Sequence, residues 1–140
     1  MSFIDTTTAF GARAEQRLHD ERIAWLTTVR RDGTPQPTPV WYLWDGDGFL
    51  LYSQPQTQKL RNIAANPHVT LHLDGDGKGG NIVVVTGDAT VDESAPPASD
   101  VPEYLERYGP FIERNRWTPE SFSADYSVPI RVRATRLRGH

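Results

Sequence analysis

Residues 49–73 read F-L-L-Y-S-Q-P-Q-T-Q-K-L-R-N-I-A-A-N-P-H-V-T-L-H-L. An apolar strand ending at Tyr52-Ser53 runs into a short helix that carries Lys59, Arg61 and Asn62, and Asn66-Pro67 stops that helix before a second strand begins at His68. A helix start offers unpaired backbone N–H groups and the positive end of the macrodipole. The junction at Thr57, Gln58 and Lys59 is therefore a place where a phosphate can meet both. A cation at that end is mildly unfavourable for the helix itself, and surface lysine and arginine are common, so these residues alone leave an ordinary charged helix start open as well.

The flanking elements narrow the choice. Upstream the chain reads I-A-W-L-T-T-V-R, R-D-G-T, P-Q-P-T-P-V-W-Y-L-W, D-G-D-G and then the strand at Phe49. Two glycine-containing turns separate three runs of β-branched, aromatic and aliphatic residues, the pattern of an antiparallel meander rather than of βαβ units. After the helix, residues 68–73 resume as strand, and the turn G-D-G-K-G-G leads into N-I-V-V-V-T-G-D-A-T-V. Five strands with one helical insertion predict an α+β barrel or curled sheet. Pro35, Pro37 and Pro39 at alternate positions remove donors from one side of their strand, which predicts a sheet edge or a contact with another chain. At the N-terminus a capped helix is expected over Ala9–Asp20, with Phe10, Ala14 and Leu18 as its apolar stripe. Residues 93–127 are the least regular. Pro102 opens a short helix reaching Tyr108, and Thr118 with Pro119 opens another.

The combination T-P-V-W at Thr38 to Trp41, D-G before the third strand, Y-S, and K-L-R-N-I-A-A-N-P-H-V-T-L resembles the split β-barrel family of pyridoxamine-phosphate-oxidase-like flavoproteins. Within it, the chain is most similar to the small actinobacterial enzymes that use the deazaflavin F420. The resemblance runs over residues 21–92 and returns weakly in V-P-I-R-V-R-A-T-R-L. It implies one domain, residues 1–140, folded as an FMN-binding-type split β-barrel of six or more antiparallel strands with short helices. The implied activity is F420(H2)-dependent hydride transfer to a small unsaturated or conjugated acceptor. The alternatives are an FMN-binding oxidoreductase, a non-catalytic F420 or flavin binder, and a binder of another phosphorylated ligand. The lack of a longer C-terminal substrate-binding tail argues against true pyridoxamine-phosphate oxidase activity.

The same resemblance assigns site residues. The phosphate-bearing tail is expected against Gln58 and Lys59, with Thr57, Arg61 and Asn62 nearby. Helical spacing turns Leu60, Ile63 and Ala64 inward, leaving Lys59 with Asn62 on one flank and Thr57 with Arg61 on the other. Direct contact is expected from Lys59 first and Asn62 next, with Arg61 paired to a carboxylate elsewhere. The ring is expected along Thr38, Pro39, Val40 and Trp41, and the ribityl chain near Tyr52 and Ser53. Alternation sets Thr38, Val40 and Tyr42 on one face and Pro39, Trp41 and Leu43 on the other. Apart from the resemblance, Trp41 and Trp44 read as ordinary packing residues. Arg116 and Trp117, with Arg114, are candidates for contact with substrate or a partner chain, against the simpler reading of a solvated, charged helix end. A homodimer with cofactor sites at its interface is implied too.

Composition excludes several classes. The 140 residues contain no cysteine, which removes disulfides, thiol catalysis and cysteine-based metal sites, and fits a reducing cytoplasm. A formal net charge of -3 gives no general attraction to nucleic acid, and the Arg-rich C-terminal strand reads as a solvated or interface strand. No signal-peptide-like or membrane-spanning run is visible, so a cytoplasmic protein is expected. Gly75, Gly77 and Gly80 match a dinucleotide-binding pattern, but a strand follows where that mechanism needs a helix. Asp74 and Asp76 imitate a calcium loop, yet Lys78 and Val85 occupy ligand positions. His68 and His72 share a strand face about 13 Å apart, too far to chelate one ion, and no metal is expected. No nucleophile–base constellation stands out, which suits chemistry carried by a cofactor.

Overall fold

The computed structural model describes residues 3–140. Helix α1 (Ala9–Asp20) is followed by β1 (Ala24–Val29), β2 (Pro35–Val40), β3 (Leu43–Trp44), β4 (Gly48–Ser53), α2 (Gln58–Ala65), β5 (His68–His72) and β6 (Val83–Val91). A 3-10 turn, α3 (Pro102–Arg114), α4 (Pro119–Asp125) and β7 (Val128–Gly139) complete the chain. The seven strands form one antiparallel sheet in the order β2-β1-β5-β6-β7-β4-β3. The strands β2 and β3 stand at opposite ends of that order, yet only Trp41 and Tyr42 separate them in sequence. The sheet must therefore curl until its two edges meet, giving the split β-barrel expected from the sequence.

That closure corrects the reading of residues 35–44 as one strand. Tyr42 breaks the ladder because its own groups are held elsewhere: its N–H donates to the Tyr108 hydroxyl at 2.8 Å, and its hydroxyl contacts the carbonyls of Leu18 and Glu21 at 2.9 and 3.0 Å. The facing survives the break. Val40, Tyr42 and Trp44 pack on the barrel interior, whereas Trp41 and Leu43 join a second cluster outside it. The prolines of β2 do lie on an edge strand, paired only with β1. In an antiparallel ladder a residue's N–H and C=O share one side, so Pro35, Pro37 and Pro39 turn three carbonyls and no N–H outward.

Two apolar cores result. The barrel interior collects Leu26, Phe49, Leu51, Leu71, Val85, Ile130 and Val132, and α1 closes it with Ala14 and Leu18, while Phe10 packs partly buried against it. The second core is aromatic, built on Tyr104, Tyr108 and Phe122 from α3 and α4 against Leu50 and Tyr52. The strand β4 is buried at all six positions because Phe49 and Leu51 serve one core and Leu50 and Tyr52 the other. Its uninterrupted apolar run has that cause. At Gly48 a Cβ would stand 2.0 Å from the Val132 carbonyl oxygen of β7, so only glycine allows this pairing.

Helices depart from expectation in two places. The helix α3 continues through Pro110 to Arg114 instead of stopping near Tyr108, because Phe111 and Ile112 gain places against the aromatic core that outweigh the missing N–H. In α2 the buried residues are Asn62 and Ile63, while Ala64 is exposed. By contrast, α4 starts as expected, with Thr118 and Ser121 forming a reciprocal capping box.

Candidate functional site

The strand–helix junction lies between two clefts. Gln56, at φ 64°, turns the chain after β4, and Thr57 is the N-cap of α2. The Thr57 side chain makes no cap hydrogen bond; its Oγ1 lies 3.0 Å from Ser53 Oγ, which itself donates to the Gln54 carbonyl at 2.7 Å. Thr57 is then the donor to Ser53, and no side-chain oxygen of the cap covers the first N–H groups of the helix.

Asn62 is 2 % exposed and serves the fold. Its Nδ2 donates to Thr28 Oγ1 at 2.9 Å and to Gln36 Oε1 at 3.0 Å, and its Oδ1 accepts from Gln58 Nε2 at 2.8 Å. The amide thus ties α2 to the β1–β2 hairpin, where the sequence suggested a phosphate contact. Arg61 differs as well: it donates to the Gln56 carbonyl and to Gln58 Oε1, each at 2.8 Å, where a carboxylate partner was expected.

Outside this network is a cleft of about 630 Å³ bordered by Gln58, Arg61 and Asn62 and by Arg30 and Arg31 of the β1–β2 turn. Its one acid, Asp32, accepts from the Thr34 N–H at 2.9 Å, and hydrogen bonds from Thr34 hold its carboxyl below the ordinary range. The Arg30 and Arg31 side chains make no hydrogen bond or close ion pair among the described residues, and Arg30 lies near enough to Asp32 to help lower its pKa, so three guanidiniums face one carboxylate and the cleft is net cationic.

Across the first turn of α2 a second cleft, of about 230 Å³, is bordered by Pro39, Val40, Trp41, Tyr52 and Lys59 together with Tyr104, Trp117, Phe122 and Tyr126. Trp41 stacks on Tyr108 with ring centroids 4.8 Å apart and on Phe122 at 5.3 Å. Trp117 meets Phe122 at 5.6 Å and Tyr126 at 5.9 Å. Tyr52 is fixed by donation to the Pro96 carbonyl at 2.7 Å. Burial depresses the Lys59 pKa from its ordinary lysine value.

The structure thus divides the sequence-predicted set. Pro39, Val40, Trp41, Tyr52, Lys59 and Trp117 share the aromatic cleft, whereas Gln58, Arg61 and Asn62 border the basic one. Ser53, which is buried, and Thr57 border neither cleft. Thr38 pairs with Leu26 and borders neither cleft, and Arg116 is exposed at φ 62° away from both. Arg114 covers the Phe111 ring at 5.9 Å. Sequence reasoning missed Arg30, Arg31 and the aromatic wall. The adjacent arginines of the hairpin turn, and the helical recurrence of Tyr104, Tyr108 and Phe111, are the signals that could have found them.

The pyridoxamine 5'-phosphate oxidase family model matches residues 10–139. The chain belongs to that family, whose split barrel the strand order above describes. An F420 reductase of known structure is 30% identical, covering 89% of this chain and 94% of its own, with a TM-score of 0.66. A conserved hypothetical protein from Mycobacterium tuberculosis is 28% identical over 91% of this chain and 81% of its own, at a TM-score of 0.68. A FAD-binding protein from Mesorhizobium loti shares the fold at 23% identity over 93% and 91% of the two chains, at a TM-score of 0.63. No curated protein sequence matches the chain. Among the described residues no helix is long and apolar enough to cross a membrane.

Proposed function

We propose that the protein is an F420-dependent oxidoreductase that reduces a small unsaturated or conjugated acceptor, acting as a cytoplasmic homodimer with cofactor sites at the subunit interface. The observation that carries this reading is the width and charge of the cleft beyond the helix start. FMN ends at its phosphate, whereas F420 continues through a phosphodiester into a tail of several glutamate carboxylates. A cleft of about 630 Å³ with three guanidiniums against the single carboxylate of Asp32 offers more cationic surface than one phosphate uses. The uncapped first turn of α2 suits the phosphodiester, and Pro39, Val40, Trp41 and Tyr52 on the neighbouring aromatic cleft border the ring. When bound, the deazaflavin supplies the hydride, and the chain supplies position, charge and exclusion of water. The likeness to the F420 reductase supports the same choice.

The test is a titration of cofactor-free protein with F420, with the same deazaflavin phosphodiester lacking its glutamates, and with FMN. Intact F420 should bind at least tenfold tighter than either. Replacing Arg30 and Arg31 together by alanine should remove most of that advantage, on the order of 1–3 kcal/mol for lost charge-assisted contacts. Equal or tighter FMN binding would make the protein a flavoprotein. Binding of reduced F420 without its oxidation in any acceptor screen would make it a carrier.

A further inference from the structure

Tyr108 of α3 is fully buried, and its hydroxyl reaches the backbone at the end of the β1–β2 ladder. It accepts the Tyr42 N–H at 2.8 Å and shares its own proton between the carbonyls of Arg22 at 2.8 Å and Tyr42 at 2.9 Å. The strand register explains that position. The strands β1 and β2 pair Ala24 with Val40, Leu26 with Thr38 and Thr28 with Gln36. Those are the hydrogen-bonded pairs, because the intervening Pro35, Pro37 and Pro39 have no N–H to give. Two residues further along, the next such pair would be Arg22 with Tyr42. The phenol stands where their N–H and C=O groups would meet, and so acts as a wedge that ends the ladder. Arg107, the preceding residue, fixes the wedge. Its guanidinium donates to the carbonyls of His19 and Glu21 and lies over the Tyr42 and Tyr108 rings at 5.1 and 5.4 Å. Between the opened pair and the last ladder residue, Val40, comes Trp41, whose ring is stacked on that of Tyr108 at an interplanar angle of 5°.

We propose that Tyr108 is a positioning residue: its hydroxyl holds the ladder open at Tyr42, and that opening sets Trp41 in the wall of the aromatic cleft, which Tyr108 itself does not border. The consequence for binding rests on the deazaflavin reading above; the placement of Trp41 stands without it. Tyr108→Phe removes the wedge and keeps the ring. The Tyr42 and Arg22 groups can then pair directly, drawing Trp41 off its stack with the lengthened strand. The control is Tyr42→Phe, which deletes a hydroxyl bonded to the Leu18 and Glu21 carbonyls in the same neighbourhood and leaves the wedge in place. Three readouts are taken on each cofactor-free protein: the NMR resonance of the Trp41 indole N–H, a titration with the deazaflavin ring and ribityl chain lacking the phosphate, and a titration with inorganic tripolyphosphate as probe of the basic cleft. In Tyr108→Phe the Trp41 resonance should move and the ring fragment should bind at least tenfold more weakly, while tripolyphosphate binds as in the wild type. Tyr42→Phe should match the wild type in all three even if it melts lower. Arg107→Lys, which loosens the phenol without removing it, should repeat the Tyr108→Phe pattern at lower amplitude, and it decides the matter if Tyr108→Phe does not fold. An unmoved Trp41 resonance, an unchanged ring affinity, loss of tripolyphosphate binding together with the ring, or equal losses in Tyr42→Phe would overturn the proposal. Failure of the wild-type protein to bind the ring fragment removes the cofactor reading instead, and the Trp41 resonance then decides the positioning role by itself.

Discussion

Asn62 and Lys59 sit three residues apart on one short helix and do different work. The Asn62 amide joins Gln58, Thr28 and Gln36 in the interior, so Asn62→Ala should leave buried polar groups unpaired and cost roughly 1–3 kcal/mol in urea unfolding. Lys59 carries a desolvation cost instead. Its folded pKa lies below the unfolded value, so between the two the unfolded chain binds more protons and stability rises with pH. Lys59→Met should therefore stabilise the protein at neutral pH, and the gain should fade as pH climbs from the depressed folded pKa to the ordinary lysine value. Unfolding curves for both proteins across that range check it, and a gain unchanged at high pH would contradict it. The sequence shows Lys59, Arg61 and Asn62 as a group at a helix start, and their angular positions follow from helical spacing. What faces each flank does not, because it depends on how the β1–β2 hairpin wraps across the helix, a contact made 26 to 34 residues away.

At the scale of elements, α2 is a helix whose N-cap threonine is turned aside toward Ser53. Thr57→Asp should supply the missing cap, adding about 0.5–2 kcal/mol of stability. The same carboxylate would occupy the amides and repel a phosphate, so deazaflavin affinity should fall at least tenfold. A thermal melt beside a cofactor titration reads both, and tighter binding in the aspartate variant would remove the anion role of this helix start. The strands were largely legible, since alternation and turn residues mark them. The passage of the chain at Trp41–Tyr42 from one edge of the sheet to the other was not, because nothing in P-V-W-Y-L-W distinguishes a continuous strand from one that leaves its ladder. The extension of α3 through Pro110 was hidden for a related reason: packing against the aromatic core outweighs a local breaker.

For the whole molecule, the decisive relation is that β4 is shared by two cores, and the aromatic cleft opens where the second core meets the barrel wall. Anything that separates β4 from β7 should therefore disturb barrel and cleft together. Gly48→Ala places a methyl against the Val132 carbonyl with backbone on both sides and no side chain able to yield. The expected loss is roughly 3 kcal/mol or more, seen as a lowered melting temperature and poor recovery of folded protein. Native stability in this variant would mean that the β4–β7 contact is looser than its geometry states. The family and the barrel could be reached from about half of the chain, because residues 21–92 hold the meander and its helix. The aromatic wall could not, since its members come from residues 104–126, where sequence pattern is weakest and only the tertiary fold brings the rings together.

The four tryptophans also make the protein its own optical instrument. Trp25 and Trp44 are tied to the carboxylates of Asp74 and Glu15 outside the cleft, while Trp41 and Trp117 border it, so replacing the first pair by phenylalanine would leave emission that reports on the cleft alone. Occupancy could then be followed in real time, without a label and without turnover.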